Sequence, residues 1–89
     1  MSVRKEYRVN RCDLFVIDYV KTSKGFYEIY ARRHPPDRFQ RGVTHHHLYS
    51  NGQVCVTAGR EPRTLEAAQY IARHWMESYS TYTRTGTFQ

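Results

Sequence analysis

Eighty-nine residues suffice for one domain and not for two, which excludes a separate substrate domain and makes residues 1–89 a single unit. So small a domain buries only about 60–65% of the surface its unfolded chain exposes, and the eight Tyr, four Phe and one Trp must supply much of the core. Fourteen Lys and Arg against eight Asp and Glu leave a net charge of +6, a diffuse field that suits nucleic acid, an acidic protein surface or plain solvation, and chooses none of them.

No apolar run reaches the roughly 18 residues of a membrane span, and the N-terminus lacks the apolar core of a signal peptide, so no membrane association and a cytoplasmic location are expected. Cys12 and Cys55 are too few for a disulfide framework and lack zinc-ribbon spacing, which implies two free thiols in a reducing compartment.

In chain order, residues 5–11 alternate apolar and polar positions with Tyr7 and Val9 on one face, the pattern of a half-exposed strand near a sheet edge. Cys12 falls at the start of the next strand and reads as a structural thiol. Residues 14–20 form the densest apolar run, rich in β-branched and aromatic side chains, and read as a central strand. Residues 22–25 supply a turn and 26–31 a third strand. The short connections favour an antiparallel meander, because parallel strands need long crossovers. Pro35-Pro36 ends the sheet by removing two ladder donors and starts a connection over residues 35–44.

Residues 44–56 concentrate most of the side chains able to do acid–base, nucleophilic or metal chemistry. His45, His46 and His47 lead into a turn signal at Asn51-Gly52, and Val54 and Val56 flank Cys55. That grammar holds Cys55 just after a turn, where a thiol is fixed yet reachable. A Cys55 thiolate is a nucleophile toward carbonyls and thioesters, and any of the three histidines can orient a reacting group or relay a proton. The plainer alternative is a Cys55 that fills a small core slot beside a solvated histidine loop. A zinc site fits less well, because adjacent residues of an extended stretch point to opposite faces and the three rings do not converge.

After a loop over residues 57–63, Thr64 is placed to cap a helix with Glu66 in its first turn. Leu65, Ala68, Ile71 or Ala72, Trp75, Tyr79 and Tyr82 recur at three- and four-residue steps, giving a helix over residues 64–83 with an apolar stripe that lies across the sheet. Gly86 ends it. The fold class is therefore α+β, an antiparallel β-meander with a C-terminal α-helix packed on it.

The run His45-His46-His47-Leu48-Tyr49-Ser50-Asn51-Gly52-Gln53-Val54-Cys55-Val56 resembles the active-site segment of ubiquitin-conjugating (UBC-like) enzymes, in which a His-Pro-Asn triplet leads through a Gly-containing turn to a catalytic cysteine. By offset from Cys55, His45 lies where the family histidine does, His46 replaces the proline and His47 the asparagine. Trp75, Tyr79, Tyr82, Thr85, Gly86 and Phe88 are similar to the closing helix of the bacterial branch. The resemblance covers about residues 26–89, and the chain departs from the family in being shorter and in lacking the asparagine.

The resemblance implies a minimal bacterial UBC-like transferase needing no metal or organic cofactor. Its partners would be an activating enzyme, a ubiquitin-like protein carried on Cys55 as a thioester, and an acceptor protein supplying an amine. His47 would orient the active-site loop or stabilise the oxyanion. His45 would be structural, and Asn51 would hold the hairpin turn or offer an amide to the site. Two rivals stand beside it. One is a nucleic-acid-binding protein using the arginines and exposed tyrosines. The other is a metal-dependent nuclease built on the histidine run with a helix tyrosine as nucleophile, a design for which a histidine in the middle position is poorly placed.

Overall fold

The computed structural model describes residues 2–88 and runs β1 (Ser2–Val9), β2 (Asp13–Lys21), β3 (Tyr27–Arg33), α1 (Val43–His46) and α2 (Leu65–Thr85). The expected α+β architecture is present. The strands form an antiparallel meander in the order β1-β2-β3, and α2 packs on one face of it. No helix among the described residues is long and apolar enough to cross a membrane.

The densest apolar run forms β2, the strand that lies between β1 and β3. Its alternation sends Phe15, Ile17 and Tyr19 into the core with no exposure and Asp18 to the opposite face. There the Asp18 carboxylate accepts from Arg4 of β1, at 2.6 and 2.9 Å, and from Arg32 of β3, at 2.9 Å. One charge on the middle strand thereby ties both neighbours to it.

The alternating pattern overruns the end of β1. Asn10 and Arg11 take φ values of 53° and 68°, and the Cys12 N–H donates to Val9 O at 3.4 Å, so residues 10–12 are a turn. Asn is among the residues that tolerate the left-handed region, and two successive positive φ values match the twist of a hairpin. Cys12 is consequently not a structural thiol of the central strand. It is exposed, and Arg84 donates to its Sγ at 3.0 Å. The second turn lies where the sequence places it, with Gly25 at φ 88° donating to Thr22 O at 3.1 Å.

Helix α2 carries the caps its sequence announces. Thr64 Oγ1 accepts from the Ala67 N–H at 3.1 Å, and Gly86, at φ 81°, donates to Tyr82 O. The helix reaches Thr85, two residues past the expected end. Its buried stripe is Ala68, Ala72, Trp75, Met76, Tyr79 and Tyr82, with Ala72 in the core and Ile71 half-buried. Trp75 meets Phe15 edge-on at 5.7 Å and stacks on Tyr79 at 4.9 Å, which anchors the helix over β2.

Asp37 organises the connection after β3. Its carboxylate accepts from the backbone N–H groups of Phe39, Gln40 and Arg41 at 3.0–3.1 Å and from the Tyr82 hydroxyl at 2.8 Å. Burial opposes its charge, but the Tyr82 and Phe39 donors, the nearby His46 and the Gln40 N–H together hold its pKa below the usual carboxylate value. A proline-broken segment with little regular structure is in this way pinned to the last turns of α2.

Candidate functional site

The histidine run is not extended. Residues 43–46 make one helical turn, and His47 closes it in the left-handed region at φ 58° with its N–H donating to Val43 O. The chain then enters a tight hairpin. Leu48 faces Val54, the Tyr49 N–H donates to Gln53 O at 2.9 Å and the Gly52 N–H to Tyr49 O at 2.9 Å. Gly52 has φ 90°, and a Cβ there would lie 3.1 Å from Ala31 O, so only glycine fits without strain. The hairpin lies along the outer edge of β3, with Ala31 N–H donating to Gly52 O at 2.7 Å and Val54 N–H to Ile29 O at 2.8 Å.

Cys55 follows this anchored hairpin directly. Its N–H donates to His47 O at 2.8 Å, which brings the half-buried thiol beside the histidine at the end of the helical turn. The two residues share a cleft of about 220 Å³ whose wall is completed by Ile71, His74, Trp75 and Ser78 of α2, and by Phe88. The His47 ring packs against Phe88 at 4.9 Å. From the other side the Tyr49 hydroxyl, on a side chain 45% exposed, donates to Cys55 Sγ at 3.5 Å. That hydrogen bond, and with it the charge of a Cys55 thiolate, raises the Tyr49 pKa.

The structure thus joins Cys55 and His47 and leaves the other two candidates outside the cleft. His45 is exposed, and its Nδ1 lies 3.5 Å from the Thr44 hydroxyl. The Asn51 side-chain oxygen accepts from the Gln53 N–H at 2.9 Å, an Asx contact that holds the hairpin turn.

The middle histidine, which its sequence position does not distinguish, is the buried one. Leu48 N–H donates to His46 Nδ1 at 3.2 Å, so the ring hydrogen sits on Nε2, which lies 3.2 Å from Asp37 Oδ2. The His46 carbonyl accepts from Trp75 Nε1 at 2.9 Å. His46 therefore ties the segment before Cys55 to both the Asp37 connection and α2. The three imidazoles face a hydroxyl, a half-buried carboxylate and a phenyl ring respectively. Among the described residues, no three His, Cys, Asp or Glu side chains converge as they would around a metal ion.

His74 and Ser78 also escape a reading of the 44–56 segment. Their signal is helical spacing: Ile71, His74, Trp75 and Ser78 recur at three- and four-residue steps and share a face of α2. Only the fold shows that this face meets Cys55. No family model, curated protein or solved structure matches this chain.

Proposed function

We propose that the chain is a small ubiquitin-conjugating-like transferase that carries a ubiquitin-like protein on Cys55. The observation that carries the reading is that Cys55 and His47, joined by the bond from Cys55 N–H to His47 O, line one cleft. A volume of about 220 Å³ lies below the roughly 300–1,000 Å³ of sites that enclose small molecules. It suits the narrow end of an extended protein tail. The segment resemblance, with Cys55 and the Gly52 turn at the family's spacing, adds the chemistry.

In the first step the Cys55 thiolate attacks the thioester carbonyl that joins the tail to an activating enzyme. A new C–S bond forms and the activating enzyme leaves as a thiolate. In the second step an amine of the acceptor protein attacks the Cys55 thioester. An amide bond forms, the Cys55 thiolate is expelled and the amine proton passes to a base or to water. The His47 ring N–H serves the oxyanion of the tetrahedral intermediates, a contribution realised mainly as that charge develops. A cytoplasmic location, where both thiols stay reduced, accords with this use.

The test is transfer from a ubiquitin-like protein bearing a C-terminal mercaptoethanesulfonate thioester, run beside loading by an activating enzyme and ATP. The expected product is an adduct that reducing agent cleaves. Cys55→Ser should trap it as a more stable ester and Cys55→Ala should form none. His47→Ala should leave loading largely intact and slow discharge to an amine by about 10²-fold, the scale of a lost oxyanion donor. A reducible adduct on Cys55→Ala, or no loading by either route, ends the transferase reading.

A further inference from the structure

A second cleft, of about 570 Å³, opens on the other side of α2. Of the helix residues that line it, Gln69, Arg73, Met76 and Glu77 face away from the set that walls the Cys55 site. It exists because α2 crosses over β2 and β3 and leaves the inner face of β1 partly uncovered. Its floor is apolar, from Tyr7, Val9 and Met76, and its cations are Lys5, Arg8 and Arg73 against the single carboxylate of Glu77. All three cations are exposed, and among the described residues none of them is in an ion pair.

Lys5 breaks the apolar column of β1. It sits in register with the fully buried Ile17, between Val3 and Tyr7, which pack on the core. Beside this column the edge of β1 away from β2 has no strand on it among the described residues. An inward lysine on an edge strand discourages the edges of two copies from pairing, and the same charge favours an acidic strand over a neutral or basic one.

We propose that this cleft binds an acidic, extended segment of a partner protein, which adds a strand to the open edge of β1. Its backbone takes the unpaired groups of the edge. Carboxylates on its inner face meet Lys5 and Arg73, and interleaved apolar side chains reach the Tyr7, Val9 and Met76 floor. A nucleic-acid backbone fits less well. It would meet Glu77 and only three cations, and the Tyr7 hydroxyl is already paired with that of Tyr19 at 2.7 Å. The proposal does not rest on the thioester reading.

The test uses the full chain and a fluorescein-labelled peptide of alternating glutamate and valine, as long as β1, followed by fluorescence anisotropy. Saturable binding is expected. It should weaken by about tenfold or more, the equivalent of about 1.4 kcal/mol, in the Lys5→Glu, Arg73→Glu double variant, whose folding circular dichroism would verify. N-methylation of alternate peptide residues, which removes strand donors while keeping every charge, should weaken it at least as much. The proposal is overturned if a peptide of the same length with lysine in place of every glutamate binds equally well, if N-methylation has no effect, or if the double variant binds as the parent does. Tighter binding of oligothymidylate that the double variant loses would reassign the cleft to phosphate and overturn it too.

Discussion

Cys12 and Cys55 differ in what surrounds their sulfur atoms. Cys12 stands exposed in the β1–β2 turn, next to an Arg84 guanidinium that also reaches Asp13 at 3.1 Å. Cys55 is half-buried, flanked by the Tyr49 hydroxyl. Access favours reaction of a thiol, so a maleimide applied to the folded protein should modify the exposed Cys12 before Cys55, as read by peptide mass spectrometry at early times. Faster labelling of Cys55 would contradict the exposures described for the two residues. Any assay of Cys55 chemistry is therefore best run beside Cys12→Ser, which removes the competing thiol. At this scale the sequence is deceptive for a simple reason. A cysteine ahead of an apolar run looks like the first residue of a strand, and the two left-handed residues before it, which turn it outward, include an arginine that nothing in composition marks as a turn former.

Among the elements, α2 is legible almost to the residue because its periodicity, its Thr64 cap and its Gly86 stop all agree. The strands are legible for the same reason, and the Asn51-Gly52 signal locates the hairpin. What the sequence could not show is how distant pieces meet. The Trp75 indole N–H reaching the His46 carbonyl at 2.9 Å joins residues 29 positions apart, and no local pattern encodes it. The same holds for His46 against Asp37, which makes the middle histidine structural although offset from Cys55 points to His45. Trp75 has two separable roles. Trp75→Ala should cost about 3–5 kcal/mol, as expected for deleting a buried aromatic. Trp75→Phe keeps most of the packing but leaves the His46 carbonyl without its donor, and should cost about 1–3 kcal/mol. Urea denaturation of both variants checks this, and a Phe variant as stable as the parent would show that the indole N–H holds nothing.

On the scale of the whole molecule, a chain of net charge +6 depends on a few carboxylates placed where cations or polar donors converge. Asp18 is the strongest case. Its hydrogen bonds with Arg4, opposed by burial and reinforced by Arg32, take its pKa from the ordinary 3.8 to about 2. Asp37 is also held below the ordinary value, by donors that outweigh its burial. A carboxyl whose pKa is lower folded than unfolded binds fewer protons in the native state. Its stabilisation is then complete above the unfolded value and disappears as pH falls through the folded one. Stability should accordingly hold down to about pH 4 and decline from there toward pH 2, while protonation of the remaining carboxylates lets the positive charges repel one another. The Arg4 and Arg32 side chains are 63% and 43% exposed, so solvent screens the Asp18 pairs and added salt should reduce their share. Asp18→Asn isolates that share. It should lower the thermal midpoint near pH 7 and flatten the fall between pH 4 and pH 2, because the group that titrates there is gone. Melting curves by circular dichroism across that range check both effects. If the variant and the parent lose stability in parallel, Asp18 does not link the strands in the way its three hydrogen bonds indicate, and acid sensitivity must be sought at Asp37, where one carboxylate joins the connection, His46 and the end of α2.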